Sequence, residues 1–266
     1  MTTVGFIGAG NMGYAIMRGI AGSSLSENTA LYAFDPDAEK CSRLKALGAT
    51  VCDTELDVLK QCKYVFLAVK PQMFEDVLTQ IAEGVTEDTV LVSIAAGITA
   101  EYIRSKTISN AKVILVMPNT PLLLGAGASA LAKSELTSDA EFETVCRIFE
   151  ACGIAATLPE DKMKEIIAIN GSSPAFIYLF AKAFVDYAAK EGIAQETALS
   201  LFAQSLIGSA KMLTDSGYTV DELIKMVSSP GGTTLAGLDE LYKGNLAQTV
   251  DAACTACTKR AYELSK

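Results

Sequence analysis

Val4-Gly5-Phe6-Ile7-Gly8-Ala9-Gly10-Asn11-Met12-Gly13 reads as a buried strand that runs into a glycine triplet at the mouth of a helix. In such a turn Gly8 permits the tight bend, Gly10 lets the backbone approach a pyrophosphate, and Gly13 allows the helix to pack close to the strand. The N–H groups of Asn11 and Met12, next to Ala9 in the loop, then face anionic oxygen at the helix start. G-x-G-x-x-G alone is a weak signal. Its context here is the confirming one: a strand before, a helix after, and a second strand ending at Phe34-Asp35, about 20 residues further on. The stretch therefore predicts a dinucleotide-binding βαβ unit.

Outward from that unit the same alternation continues. Strands are expected at Thr3 to Ile7, Ala30 to Phe34, Tyr64 to Val69, Thr89 to Ala95 and Lys112 to Met117, with Ala128 to Ala132 and Ile154 to Leu158 extending the sheet. Their nearly continuous apolar runs are those of strands covered on both faces. Amphipathic helices are expected at Asp37 to Leu47, Met73 to Ala82 and Ser138 to Ala151. The fold class is α/β, a doubly wound Rossmann sheet, over residues 1–160. From 161 to 266 the chain is Ala-rich and helical in period, with segments near Pro174 to Lys190, Gln195 to Thr214 and Asn245 to Leu264. Thr219 and Glu222 have capping-box spacing. Segments such as Ala175 to Ala181 are apolar on more than one face, which predicts a helical domain that buries its surplus in a homodimer.

Composition narrows the chemistry. Among 266 residues there is no histidine, so imidazole-based triads, His-ligated metals and His proton relays are excluded. The net charge of −9 argues against nucleic acid and acidic membrane surfaces as partners. No signal-peptide pattern precedes the first strand, and a cytoplasmic location is expected. Seven scattered cysteines read as reduced, packed thiols. Cys254-Thr-Ala-Cys257 has no second ligand pair, so no metal site is expected.

Asp35 lies at the tip of the second strand. A carboxylate there accepts hydrogen bonds from the adenosine ribose and repels a 2′-phosphate, favouring NADH over NADPH. The plainer alternative is that Asp35-Pro36-Asp37 caps the next helix; Lys40, one turn along, can tolerate a phosphate. Ala68-Val69-Lys70-Pro71 and Ala95-Ala96-Gly97 fall at strand carboxyl ends, where ligands bind in this architecture. The small residues leave room for a nicotinamide ribose, and Lys70 is either beside the cofactor or a surface lysine. Met117-Pro118-Asn119-Thr120-Pro121 stiffens the next loop, with Asn119 placed to hold an amide or a ribose. In the helical half Ser228-Ser229-Pro230-Gly231-Gly232-Thr233-Thr234 offers consecutive glycine N–H groups, hydroxyls and a helix start near Thr233. That is an anion site needing no arginine, or else simply an N-capped turn.

Together these segments resemble the pyrroline-5-carboxylate reductase family. The resemblance spans essentially the whole chain and rests on Gly5 to Gly13, Ala68 to Pro71, Met117 to Pro121, Gly171-Ser172-Ser173-Pro174-Ala175 and, most specifically, Ser228 to Leu238. It implies a Rossmann domain followed by a helical dimerisation domain, with dimers assembling further, up to a decamer. It also implies reduction of (S)-1-pyrroline-5-carboxylate to L-proline with NAD(P)H, the last step of proline biosynthesis. On that resemblance the substrate carboxylate is assigned to Ser229, Gly231, Gly232 and Thr233. Thr234 is the catalytic candidate at the ring nitrogen, and Ser172 and Pro174 line the ring. The chain departs from the family pattern at Ser173, Phe176 and Leu115. Rival readings are a related imine reductase or β-hydroxyacid dehydrogenase, and a catalytically silent nucleotide-binding regulator. The hydroxyacid enzymes use a lysine on the first interdomain helix, whereas Ile166 to Ser172 contains none.

Overall fold

The computed structural model describes residues 1–265. Its strands are β1 (Thr2–Ile7), β2 (Thr29–Phe34), β3 (Thr50–Val51), β4 (Tyr64–Leu67), β5 (Val90–Ser93), β6 (Lys112–Met117), β7 (Gly127–Lys133) and β8 (Gly153–Thr157). They form one sheet in the order β3-β2-β1-β4-β5-β6-β7-β8. The first six are parallel, and the order reverses between β1 and β4. That reversal is the topological switch point, outside whose carboxyl ends ligands bind. β7 runs antiparallel to β6, and β8 is parallel to β7, so the two added strands are reversed relative to the Rossmann core.

Every residue of β4 and β5 is buried, as their unbroken apolar runs require. Alternate side chains feed two cores. On one face Phe6 stacks on Phe66 with ring centroids 4.6 Å apart, beside Ile16, Ile20 and Phe149. On the other, Ile7, Leu67 and Leu91 meet Leu78 and Ile81. Removing a ring such as Phe66, which is wholly buried, costs about 3–5 kcal/mol.

The helices of this part are α1 (Asn11–Ala21), α2 (Ala38–Lys45), α3 (Glu55–Gln61), α4 (Phe74–Ile81), α5 (Ala100–Lys106) and α6 (Asp139–Glu150). Ser138 caps α6 in a capping box with Glu141. The buried Glu141 carboxylate also pairs Lys63 at 3.0 Å and Lys112 at 2.9 Å. Burial works against its charge, yet the hydrogen bonds from Lys112, Lys63 and Ser138 outweigh that and hold its carboxyl at about 2. The expected strands at Tyr64 to Val69 and Thr89 to Ala95 are shorter in the structure, ending at Leu67 and Ser93. Beyond those points the chain leaves the ladder to form the ligand edge.

Five further helices follow: α7 (Ser173–Lys190), α8 (Gln195–Asp215), α9 (Val220–Met226), α10 (Thr233–Lys243) and α11 (Leu246–Leu264). The chain forms two compact units, Met1–Pro174 with Ala256–Lys266, and Ala175–Thr255. The first thus runs past residue 160 and includes the end of α11. In the second, Phe180, Phe184 and Phe202 cluster, the last two stacked at 4.2 Å. The Thr219–Glu222 capping box is present. α8, α9 and α10 contain no buried residue in the single chain. Leu179, Leu201, Ile207 and Leu213 are among the large apolar side chains left exposed. Covering each such side chain yields about 1.5–3 kcal/mol, so this unit is built to meet another surface. No helix among the described residues is long and apolar enough to cross a membrane.

Candidate functional site

The glycine loop between β1 and α1 explains each of its glycines differently. Gly8 has φ +101°, and a Cβ there would lie 2.6 Å from the Ala68 carbonyl oxygen. A Cβ on Gly13 would lie 2.6 Å from the Gly8 carbonyl oxygen. These two are fixed by the protein's own packing. Gly10 is not: its φ is −62° and nothing lies within 4 Å of a Cβ placed there. Nothing in the chain's own packing requires a glycine there, whereas close approach of a pyrophosphate does. α1 starts at Asn11 with no side-chain cap and no acid in its first turn, so its first N–H groups remain open to an anion.

The loop is tied to the tip of β2. Gly8 N–H donates to Phe34 O at 2.9 Å, and Ala9 N–H donates to Asp35 Oδ2 at 2.8 Å. The buried Asp35 also accepts from Asp37 N–H at 2.9 Å and from Lys40 Nζ at 3.3 Å, both on Oδ1. The helix-capping alternative thus falls to Asp37, whose carboxylate accepts from Glu39 N–H and Lys40 N–H, and Asp35 has a separate task. A cavity of about 460 Å³ opens here, lined by Gly8, Gly10, Asp35, Lys40, Val69 and Lys70 among others. Ala68 also borders it, and Pro71 opens a short 3-10 turn at its rim. Lys70 is exposed and faces this cavity.

At the carboxyl end of β5, Ala95, Ala96 and Gly97 line a second cavity of about 360 Å³ with Leu115, Met117 and Tyr262. One flank of this loop is taken by the chain itself: a Cβ on Gly97 would lie 3.4 Å from the Leu264 carbonyl oxygen. Tyr262 OH donates to Glu165 Oε1 at 2.7 Å, which fastens the end of α11 to the segment entering the π-turn Ile167–Gly171. Sequence reasoning did not foresee that packing.

Asn119 is buried, and its Oδ1 accepts from Ala128 N–H at 2.9 Å, so that side-chain oxygen is spent on holding the start of β7. Asn170 was not singled out from the sequence. It is buried in the π-turn, and its Nδ2 donates to Met117 O at 2.7 Å and Ala128 O at 3.1 Å. A Cβ on Gly171 would lie 2.5 Å from Met117 Cε. The π-turn is thereby locked onto the ends of β6 and β7, which fixes the take-off of Ser172 and of the buried Pro174. Ser172 lines a small cavity of about 200 Å³ with Ala96, Gly97 and Ile167.

The Ser229-to-Thr234 segment belongs to the second compact unit. Gly231 has φ +70°, and Gly232 N–H donates to Ser229 O at 2.9 Å. With Pro230 second and Gly231 third, this is a type II turn by its residues and sign of φ. The expectation of two consecutive open glycine N–H groups is corrected here, because Gly232 closes the turn. Gly232 is then the N-cap of α10, with no side-chain cap. Thr233 and Thr234 are exposed in the first turn, so their N–H groups and hydroxyls are presented together at a positive helix end.

A switch-point glycine loop, an open helix start behind it, a cavity beside it that Asp35 and Lys40 border and a separate helical unit define an NAD(P)-linked oxidoreductase of the Rossmann type. Residues 3–97 match the family described as NADP oxidoreductase, coenzyme F420-dependent, and residues 160–264 match pyrroline-5-carboxylate reductase dimerisation. The chain is 33% identical over 264 residues to pyrroline-5-carboxylate reductase of Escherichia coli (strain K12), covering 99% of this chain and 98% of that one. A pyrroline-5-carboxylate reductase structure from Coxiella burnetii superposes with TM-score 0.93 at 29% identity, covering 100% and 99% of the two chains. A pyrroline carboxylate reductase from Plasmodium falciparum with NADP bound gives TM-score 0.89 at 29% identity, covering 100% and 98%. The chain belongs to the pyrroline-5-carboxylate reductase family.

Proposed function

We propose that this protein reduces the C=N bond of (S)-1-pyrroline-5-carboxylate to L-proline with NAD(P)H, closing proline biosynthesis. The observation that carries this reading is the uncapped start of α10, which presents Thr233 and Thr234 behind the Ser229–Gly232 turn in a chain without histidine. A carboxylate suits that helix end. A protonated pyrroline nitrogen makes carbon 5 a good hydride acceptor with no strong protein acid, so holding the two reactants in attack geometry is the protein's main task. The bound nicotinamide supplies the hydride.

Ser229, Gly231 and Thr233 are assigned to the carboxylate through N–H and hydroxyl donors, with Gly232 shaping the turn. Thr234 is assigned to the ring nitrogen, and Ser172 and Pro174 to contacts with the ring. Gly8, Ala9, Gly10, Asn11, Met12 and Gly13 are assigned to the pyrophosphate, and Asp35 to the adenosine ribose, which favours NADH. Ala68, Val69, Lys70, Pro71, Ala95, Ala96, Gly97 and Asn119 complete the cofactor edge. The exposed apolar faces of α7 and α8, together with the dimerisation match, support a homodimer through the C-terminal helices; we extend this to a decamer of such dimers. The working compartment is the cytoplasm, in keeping with seven free cysteines.

Thr234→Ala tests the assignment, followed as NADH absorbance at 340 nm with pyrroline-5-carboxylate. The expected result is a fall in kcat of at least about tenfold with cofactor affinity unchanged; an unchanged kcat reduces Thr234 to a helix-start residue.

A further inference from the structure

The tip of β2 carries a cation as well as an acid. Lys40 Nζ lies 3.3 Å from Asp35 Oδ1 and 3.5 Å from Asp37 Oδ2, and it lines the same cavity as Gly10 and Asp35. Its side chain is 39% exposed, against 7% for Asp35. The acid is therefore buried, and the cation stands exposed at the cavity rim. At the tip of β2 the backbone donors are already engaged: Asp37 takes the first-turn N–H groups of Glu39 and Lys40, and Asp35 takes those of Ala9 and Asp37; Lys70 is the other ammonium that lines the cavity. Arg43, one turn further along α2, lies over the Tyr14 ring at 4.3 Å.

We propose that Lys40 sets the balance between NADH and NADPH, acting as an exchangeable counter-ion of Asp35. With NADH, the ribose 2′-hydroxyl donates to the Asp35 carboxylate, and Lys40 keeps its ion pair. With NADPH, the 2′-phosphate brings nearly two negative charges to a rim that holds Asp35 and Asp37. Lys40 then turns its ammonium from Asp35 to the phosphate. Asp35 keeps the N–H groups of Ala9 and Asp37, so the glycine loop is held throughout. Lysine suits this exchange because its ammonium is a point charge on a flexible stem, with no fixed fork to satisfy. Asp35 alone excludes NADPH, whereas Asp35 with Lys40 admits both cofactors.

This rests on the proposed NAD(P)H reading, and the test separates the two because it measures binding without pyrroline substrate. NADH and NADPH are titrated by their fluorescence against wild type, Lys40→Met, Lys40→Arg and Lys70→Met. In Lys40→Met the Kd for NADPH rises about tenfold or more, while that for NADH stays within about threefold; Lys40→Arg retains NADPH binding. Wild-type NADPH affinity also falls more steeply with added salt than NADH affinity, since one more charge contact is screened. The proposal is overturned if Lys40→Met leaves the NADPH-to-NADH ratio unchanged, or if Lys70→Met and not Lys40→Met removes NADPH binding. If wild type binds neither cofactor, the underlying reading fails instead.

Discussion

Asp35 holds Ala9: its Oδ2 accepts the Ala9 N–H at 2.8 Å across 26 residues of sequence. A residue expected to read the ribose thus also braces the loop that receives the pyrophosphate, because its two oxygens divide between Ala9 on one side and Asp37 with Lys40 on the other. Asp35→Ala strands the buried Ala9 N–H and loses the part-buried bond to Asp37 N–H, which costs about 1–3 kcal/mol. Urea unfolding is expected to register that loss. Both cofactors bind more weakly in the variant, NADH more than NADPH, since the acid that accepts the ribose is gone while Lys40 is freed. Equal stability to wild type would show that the brace contributes nothing.

The three glycines of the loop separate under substitution. Gly13→Ala places a Cβ 2.6 Å from a backbone oxygen, so α1 must shift and the melting temperature falls with cofactor affinity. Gly10→Ala adds a Cβ that has no protein atom within 4 Å. It is expected to keep stability within about 0.5 kcal/mol of wild type while weakening NADH binding by an order of magnitude or more. A variant at Gly10 that binds NADH normally contradicts the position given to the pyrophosphate.

Glu141 gives a pH dependence with a definite sign. Its folded carboxyl is held at about 2 against an ordinary 4.5. The stabilisation from its pairs with Lys63 and Lys112 is therefore complete above about pH 4.5 and drains away as pH falls towards 2. The integrated effect is on the order of 2–3 kcal/mol. Glu141→Gln is expected to flatten the acid limb of a stability-against-pH curve between those limits and to lower stability at neutral pH. An acid limb identical to that of wild type removes Glu141 as its cause.

The parts of the fold that follow local rules were legible in the sequence. The glycine triplet, the apolar runs of β4 and β6, and the Thr219–Glu222 box depend on nearby residues, and each is present, with β4 ending two residues early at Leu67. What escaped depends on distant partners. β3 is two residues long and too short to carry a period. The reversal of β7 is set by its pairing with β6, not by its own composition. Asn170 matters because its amide bonds the carbonyls of Met117 and Ala128, which lie 53 and 42 residues away. As consecutive glycines Gly231 and Gly232 read as two open N–H groups; the bond from Gly232 N–H to Ser229 O arises only once Pro230 and Gly231 have made their turn.

The reaction proposed for this protein is C=N reduction of a five-membered imino acid by hydride from a nicotinamide cofactor. The purified protein is mixed with NADH or NADPH and (S)-1-pyrroline-5-carboxylate, with absorbance followed at 340 nm and the product identified by chromatography. Cofactor oxidation is expected to depend on the imine and to match the L-proline formed mole for mole. Binding of NADH or NADPH with no turnover of the pyrroline, or turnover of β-hydroxyacids in its place, would contradict it.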